Sequence, residues 1–158
     1  MLKKLGIIGL CFLCISCASN MQSNAPGMYS TEINAASNGD PRAQNAMGVR
    51  YLLGQGVPKD YDKARSLFEK SAAQGNPYAE NQLGYMYAAG KGVTQNFETA
   101  FQWYQKSANH GLASAQYNLG LMYENGIGTP VNKAKAQELF RQAADRGFAP
   151  AKKALTEG

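Results

Sequence analysis

Between residues 77 and 109 the apolar and small side chains fall at Ala79, Leu83, Met86 and Gly90, and again at Ala100, Trp103, Tyr104 and Ala108. Spacings of three and four put each set on one face of a helix. The stretch therefore predicts two amphipathic helices joined by a turn at Gly90-Lys91-Gly92. The same pattern recurs at an unbroken period of 36 residues: Ala43, Ala79, Ala115 and Ala151 are in register, as are Gly48, Gly84 and Gly120, and Tyr51, Tyr87 and Tyr123. Phe68, Tyr104 and Phe140 follow the same period, and so do Ala64, Ala100 and Ala136; Ala72, Ala108 and Ala144; and Gly75, Gly111 and Gly147. A constant period of this length marks a stacked-repeat chain, in which each unit buries its apolar face only against its neighbours. Such a chain offers an extended surface rather than a pocket.

Start and stop signals agree with the apolar period. The first two leading helices open with Asp40-Pro41 and Asn76-Pro77, a capping oxygen followed by a proline whose fixed φ suits the first helical turn. The second helices open after Asp60, Asn96 and Asn132, each able to cap free N–H groups. Gly75, Gly111 and Gly147 sit where second helices are expected to stop. One start departs from the rule, since the third leading helix begins Leu112-Ala113 without a cap or a proline.

The string Ala-x-x-x-Leu-Gly-x-x-Tyr-x-x-Gly-x-Gly, then a capping Asp or Asn, then Ala-x-x-Trp/Leu-Tyr/Phe and Ala-x-x-Gly, resembles the Sel-1-like repeat, a relative of the tetratricopeptide repeat. Three complete units carry it, residues 43–78, 79–114 and 115–150, with Thr129 in place of the valine after Gly-x-Gly in the third. Residues 29–42 match the tail of a unit through Ala36, Gly39 and Pro41, and residues 151–158 match the head of another through Leu155. The resemblance implies an all-α fold, a right-handed α-solenoid of three helix-turn-helix repeats with a half-repeat at each end, spanning residues 29–158. It also implies a protein-interaction module.

The N-terminus has another composition. Met1-Leu2-Lys3-Lys4 is basic, Leu5 to Ile15 is an apolar run, and Ser16-Cys17-Ala18-Ser19 is small, the order of a secretory signal over residues 1–17. The run is shorter than the roughly 20 residues of a transmembrane helix. Its end is similar to a bacterial lipobox with Cys17 as the lipidated residue, although Cys14 stands where such motifs usually carry leucine. That similarity implies a membrane anchor, and Ala18 in place of Asp implies the outer membrane, with the protein facing the periplasm or the cell surface. The alternative is ordinary cleavage after Ala18 or Ser19, giving a soluble exported protein. Residues 18–28, small and polar with one Pro-Gly pair, read as a flexible tether.

All three cysteines, Cys11, Cys14 and Cys17, lie in the signal, so the rest of the chain has none with which to form disulfides. It differs in this from the cysteine-rich branch of the family, and the penicillin-binding or hydrolytic role of that branch is not carried over. The formal charge of +5 includes Lys3 and Lys4; without them fourteen of the sixteen basic residues remain against eleven acidic ones, or +3. Lys133, Lys135, Arg141, Arg146, Lys152 and Lys153 bias the last third positive, but Glu138, Asp145 and Glu157 are interspersed. That mixture is a solvated surface rather than a nucleic-acid footprint.

No catalytic constellation is visible, and neither a cofactor nor a metal site is expected. The sole histidine, His110, ends a second helix in register with Gln74 and Arg146, where a cation favours the helix dipole. No acidic residue near it in sequence stands as an orienting partner. The Gly-x-Gly runs follow helices and lack the rest of a phosphate-loop pattern, so they read as turns. Phe68, Trp103, Tyr104 and Phe140 share a register with the alanines and read as core.

What the repeat leaves unfixed is one stripe on each leading helix, at i, i+3, i+7 and i+10. By the family resemblance that stripe lines a concave face. It comprises Arg42, Asn45, Val49 and Leu52, then Tyr78, Asn81, Tyr85 and Ala88, then Ser114, Tyr117, Leu121 and Glu124. Tyrosine, aliphatic and amide groups together suit the gripping of a peptide or a helix from a protein partner. The expected function is a non-catalytic scaffold at the cell envelope, acting as a monomer. Two alternatives remain: a small envelope hydrolase or peptidoglycan-binding enzyme, which needs His110 and carboxylates to converge, and a periplasmic immunity or inhibitor protein.

Overall fold

A computed structural model describes residues 26–157, so the signal, Cys17 and tether residues 18–25 lie outside the described part. It consists of eight helices: α1 (Pro26–Ser37), α2 (Pro41–Leu53), α3 (Tyr61–Ala72), α4 (Pro77–Ala89), α5 (Phe97–Asn109), α6 (Ala113–Asn125), α7 (Lys133–Asp145) and α8 (Ala149–Glu157). Each helix packs on the next along the chain, the pairs α2–α3, α4–α5 and α6–α7 most closely. These pairs are the three full units. The half-units are α1, a second helix, and α8, a leading helix. The span read as a tether overlaps α1 by three residues, because Pro26 opens that helix and its fixed φ suits a first turn.

The helix starts form as the capping residues dictate. The carboxylate of Asp40 accepts from the Ala43 N–H at 2.7 Å and the Asn76 side chain from the Tyr78 N–H at 3.0 Å. Asp60, Asn96 and Asn132 accept from the N–H groups of Lys63, Thr99 and Lys135 at 2.9, 2.9 and 3.0 Å. The hydrogen bond to the Lys63 N–H is also the main reason the Asp60 carboxyl lies below its ordinary pKa. Leu112, at the start of α6, makes no side-chain cap. The backbone N–H of each of these three second-helix caps also donates to a tyrosine carbonyl of the leading helix: Asp60 to Tyr51, Asn96 to Tyr87 and Asn132 to Tyr123, at 2.8–3.0 Å. The turn is thereby closed in the same way three times.

The core is a column of rings. Phe68, Tyr104 and Phe140 are fully buried, each against the glycine of its own leading helix. A Cβ added at Gly48, Gly84 or Gly120 would stand 2.6–2.7 Å from the ring of Phe68, Tyr104 or Phe140 respectively. Real Cβ contacts do not come that close, so the glycine is what lets the two helices of a unit meet. Each buried ring contributes about 1.5–3 kcal/mol by leaving water. In the first two units a serine completes the closure: Ser71 Oγ donates to the Pro41 carbonyl at 2.5 Å and Ser107 Oγ to the Pro77 carbonyl at 2.7 Å. Ala143 takes that place in the third.

Units join through the second glycine of Gly-x-Gly. Gly92 has φ +68, and a Cβ there would lie 2.5 Å from Tyr61 Cβ; one at Gly128, φ +67, would fall on the Phe97 carbonyl. Tyr61 and Phe97 open the second helices of the preceding units. The second and third runs are therefore turns whose backbone rests on the previous unit. Trp103 is half-buried rather than enclosed, with the Lys106 ammonium 4.4 Å from its ring centroid.

Because Gly84 lies between two filled neighbours, Gly84→Leu should destabilise the chain by about 1–3 kcal/mol, the range for overpacking. Thermal denaturation should show a larger loss than for the same change at Gly48 or Gly120. An equal or smaller loss at Gly84 would contradict a stack held through its central unit.

Candidate protein-binding surface

The stripe on the leading helices is not evenly open. Arg42 is exposed and Tyr78 is 60% exposed, while Asn45, Val49, Tyr85, Leu121 and Glu124 are half-buried. Leu52, Asn81, Ala88, Ser114 and Tyr117 are buried. One stripe position is half-exposed in all three units, and it carries Val49, Tyr85 and Leu121. These residues pack on the core beneath while leaving part of each side chain outward, so they form an apolar seam across the units. Arg42 and Tyr78 flank the seam at the starts of their helices, and Glu124 follows it near the end of α6.

Tyr117 departs most from an open-groove position. It is only 6% exposed, with its ring centroid 5.5 Å from that of Phe140 and 5.4 Å from that of Phe148. Phe148 precedes α8; in its register the chain carries Leu112, which packs on the core cluster around Tyr104, and the capping Asn76. Burial raises the phenol above its ordinary pKa, and the nearby Glu124 charge adds to the effect. Tyr117 is thus a core residue of the third unit.

Buried amides, which the periodicity does not single out, tie adjacent leading helices together. Asn118 Nδ2 donates to Asn81 Oδ1 at 3.2 Å, α6 to α4. The pair spans 37 residues, one more than the period, so repeat register conceals it. It is not continued one unit earlier: the Asn45 Oδ1 is buried with no hydrogen-bond partner. Asn76 makes a second cross-unit tie, donating from Nδ2 to the Pro41 carbonyl at 3.0 Å while its Oδ1 caps α4.

His110 does have a carboxylate beside it. Its Nδ1 lies 2.9 Å from Glu80 Oε2, with the glutamate side chain 5% and the imidazole 47% exposed. Glu80 is thirty residues earlier, and folding rather than sequence proximity brings the two together. The first unit makes the same tie with neutral groups: Gln74 Nε2 donates to Gln44 Oε1 at 2.9 Å, from positions in register with His110 and Glu80. In the third unit Gln116 turns instead to Gln142, at 3.2 Å, and its Oε1 is left buried without a partner. The pair is therefore the second unit's version of a strut between a leading helix and the end of its second helix. Among the described residues no group of three His, Cys, Asp or Glu side chains could hold a metal ion.

A raised phenol pKa sets the sign of one pH effect. The unfolded chain ionises Tyr117 near its ordinary value of about 10, and the folded chain resists that ionisation. The stabilisation is complete below that value and is lost as pH rises through the folded pKa. Melting temperature should fall less steeply in strong alkali for Tyr117→Phe than for the wild type. Tyr117→Ala should cost roughly 3–5 kcal/mol at neutral pH, as for other large aromatic cavities; a loss near zero would return Tyr117 to the open surface.

Comparison with known proteins agrees with this architecture. The Sel1 repeat matches residues 41–76, 77–112 and 113–148, the same period with unit boundaries two residues earlier than the sequence strings suggest. No curated protein matches significantly. A Sel1 repeat protein from Oxalobacter formigenes is 38% identical, with 82% of this chain covering 98% of that one at a TM-score of 0.74. The protective antigen c5321 of uropathogenic Escherichia coli strains, which displays an SLR fold, is 42% identical with a TM-score of 0.72; the match takes 77% of this chain but only 26% of that one. Helicobacter pylori cysteine rich protein B shares the fold at 20% identity, with a TM-score of 0.65 over 80% of this chain and 91% of that one. Sel1 repeats are generally protein–protein interaction scaffolds and are typically non-enzymatic. With three consecutive matched repeats filling most of its length, this chain belongs to the Sel1 repeat family.

Proposed function

We propose that this chain is a non-catalytic scaffold at the bacterial cell envelope, anchored through a lipid on Cys17, that holds a segment of a partner protein along its leading helices. The observation that carries the reading is the seam of Val49, Tyr85 and Leu121 beside the exposed Tyr78 and Arg42. Packing alone does not require a 60% exposed tyrosine. Tyrosine and arginine are enriched among the residues that dominate binding energy. Catalysis has no support comparable to this, because His110 and Glu80 repeat a strut that glutamines make one unit earlier.

The envelope location rests on the leader and its lipobox-like end. Intact mass spectrometry of the wild-type chain should find a diacyl- or triacyl-cysteine at position 17 as the N-terminus, and Cys17→Ser should release the protein from membranes into the soluble periplasm. An N-terminus at Ala18, Ser19 or Asn20 would sink the anchor.

Capture of the partner is tested separately. Tyr78→Ala combined with Tyr85→Ala should abolish recovery of the partner from envelope extracts, at about 2 kcal/mol or more for each hot-spot residue. Helical circular dichroism should be retained, with some loss of melting temperature because Tyr85 packs in part on the core; Tyr78→Ala alone, at a 60% exposed position, should lower recovery without that loss. Reversal of charge at the exposed Lys152 and Lys153 on α8 should leave recovery intact. If the tyrosine pair is silent and the lysine pair is not, the binding face lies elsewhere.

A further inference from the structure

Charge is scarce on the leading helices of the full units. Across α2, α4 and α6 the charged side chains are Arg42, Arg50, Glu80 and Glu124, whereas α3 and α7 are rich in them. Two of these side chains already have partners. Arg50 Nε donates to Glu32 Oε2 at 2.8 Å, and His110 Nδ1 lies 2.9 Å from Glu80 Oε2. Arg42 and Glu124 make no ion pair among the described residues. The carboxylate closest to Arg42 in sequence, Asp40, is committed to the start of α2, where its Oδ1 accepts from the Ala43 N–H.

These two charges stand at opposite corners of the stripe. Arg42 is exposed at the start of α2 in the first unit, and Glu124 is half-buried in the last turn of α6 in the third. Between them runs the uncharged seam of Val49, Tyr85 and Leu121, with Tyr78 beside it. A single charge on an open surface keeps its water, but one that a partner covers needs an opposite charge to replace that water. A segment lying along the seam therefore meets a cation toward one end and a carboxylate toward the other. In one orientation a dipolar segment satisfies both. Turned end for end, it sets like charges together at both corners, the arrangement by which interfaces reject a wrong fit.

We propose that the partner segment is dipolar: it presents a carboxylate to Arg42, apolar side chains to Val49, Tyr85 and Leu121, and an ammonium or guanidinium group to Glu124. This rests on the reading of the stripe as a protein-binding surface and adds a direction to it. An apolar row by itself accepts a segment either way round. Arg42 and Glu124 decide which end of the segment lies over the first unit, while the seam supplies the contact.

A phage-displayed library of random peptides, selected on the purified full chain, supplies the probe. Peptides whose binding is lost with Tyr78→Ala should carry an acidic and a basic residue on opposite sides of an apolar block. One such peptide is then synthesised and its binding followed by fluorescence anisotropy. Arg42→Glu should weaken it about three- to tenfold, and exchanging the peptide's acidic residue for lysine should restore binding. Glu124→Lys should be restored only by exchanging the peptide's basic residue for glutamate. Restoration in the crossed combinations, or no weakening by either variant, overturns the polarity while leaving the stripe as the binding face. If no selected peptide depends on Tyr78, the binding face itself is misplaced and the polarity falls with it. Should Glu124→Lys lose its helical circular dichroism, the exposed Arg42 decides: failure of the lysine-bearing peptide to restore binding to Arg42→Glu overturns the proposal.

Discussion

A ring laid against a glycine is the contact on which the stack depends. At Gly48, Gly84 and Gly120 the chain places glycine inside a helix, where it is about 1 kcal/mol less favourable than alanine. That cost recurs in every full unit because a methyl group there would run into Phe68, Tyr104 or Phe140. Close approach of the two helices is therefore worth more than local helix propensity. Alanine at 64, 100 and 136 keeps the second helix equally thin near the crossing, and all three are essentially without exposure. With the crossing set by one contact, each unit is nearly a copy of the last.

The stripe follows from that arrangement rather than standing apart from it. Methionine or leucine, glycine and tyrosine turn each leading helix toward its second helix and its neighbours, and of the stripe Arg42, Asn45, Val49, Tyr78, Tyr85, Leu121 and Glu124 keep part of their surface outward. The side chains on this stripe differ from unit to unit: Arg42, Tyr78 and Ser114 share one register, and Val49, Tyr85 and Leu121 another. A surface built this way gains specificity from the differences between units and rigidity from their sameness. The Asn118–Asn81 bond and the Asn76–Pro41 bond add polar ties across the junctions, where a satisfied buried amide resists sliding better than apolar contact does.

Most of the fold was legible in the sequence because a repeat states each structural demand several times. Caps at Asp40, Asp60, Asn76, Asn96 and Asn132, the missing cap at Leu112 and the buried rings all appear at the expected positions. The stripe was legible only as a helix face. Whether a residue on that face is open depends on what the next unit lays over it: Phe148 lies against Tyr117, whereas the residues in its register are Leu112 and Asn76. The Glu80–His110 contact was hidden for a related reason, although the glutamines at 44 and 74 carried its signal: two polar positions thirty residues apart that pair in the first unit and vary together in the second.

This unevenness has a consequence for what can be held. The outward side chains are concentrated on α2 and α4, where Arg42, Tyr78 and the half-open Asn45, Val49 and Tyr85 lie. On α6 every residue from Ser114 to Gly120 is buried, and only Leu121 and Glu124 of its stripe reach outward. Under the proposed function, a partner running across the leading helices would meet a tyrosine- and arginine-bearing surface over two units and then a narrower apolar step ending in a carboxylate. Affinity built from few central anchors suits such a surface, since hot spots need neighbours that exclude water more than they need length. In that reading the seam, not the full width of the stripe, is the feature a partner would have to match.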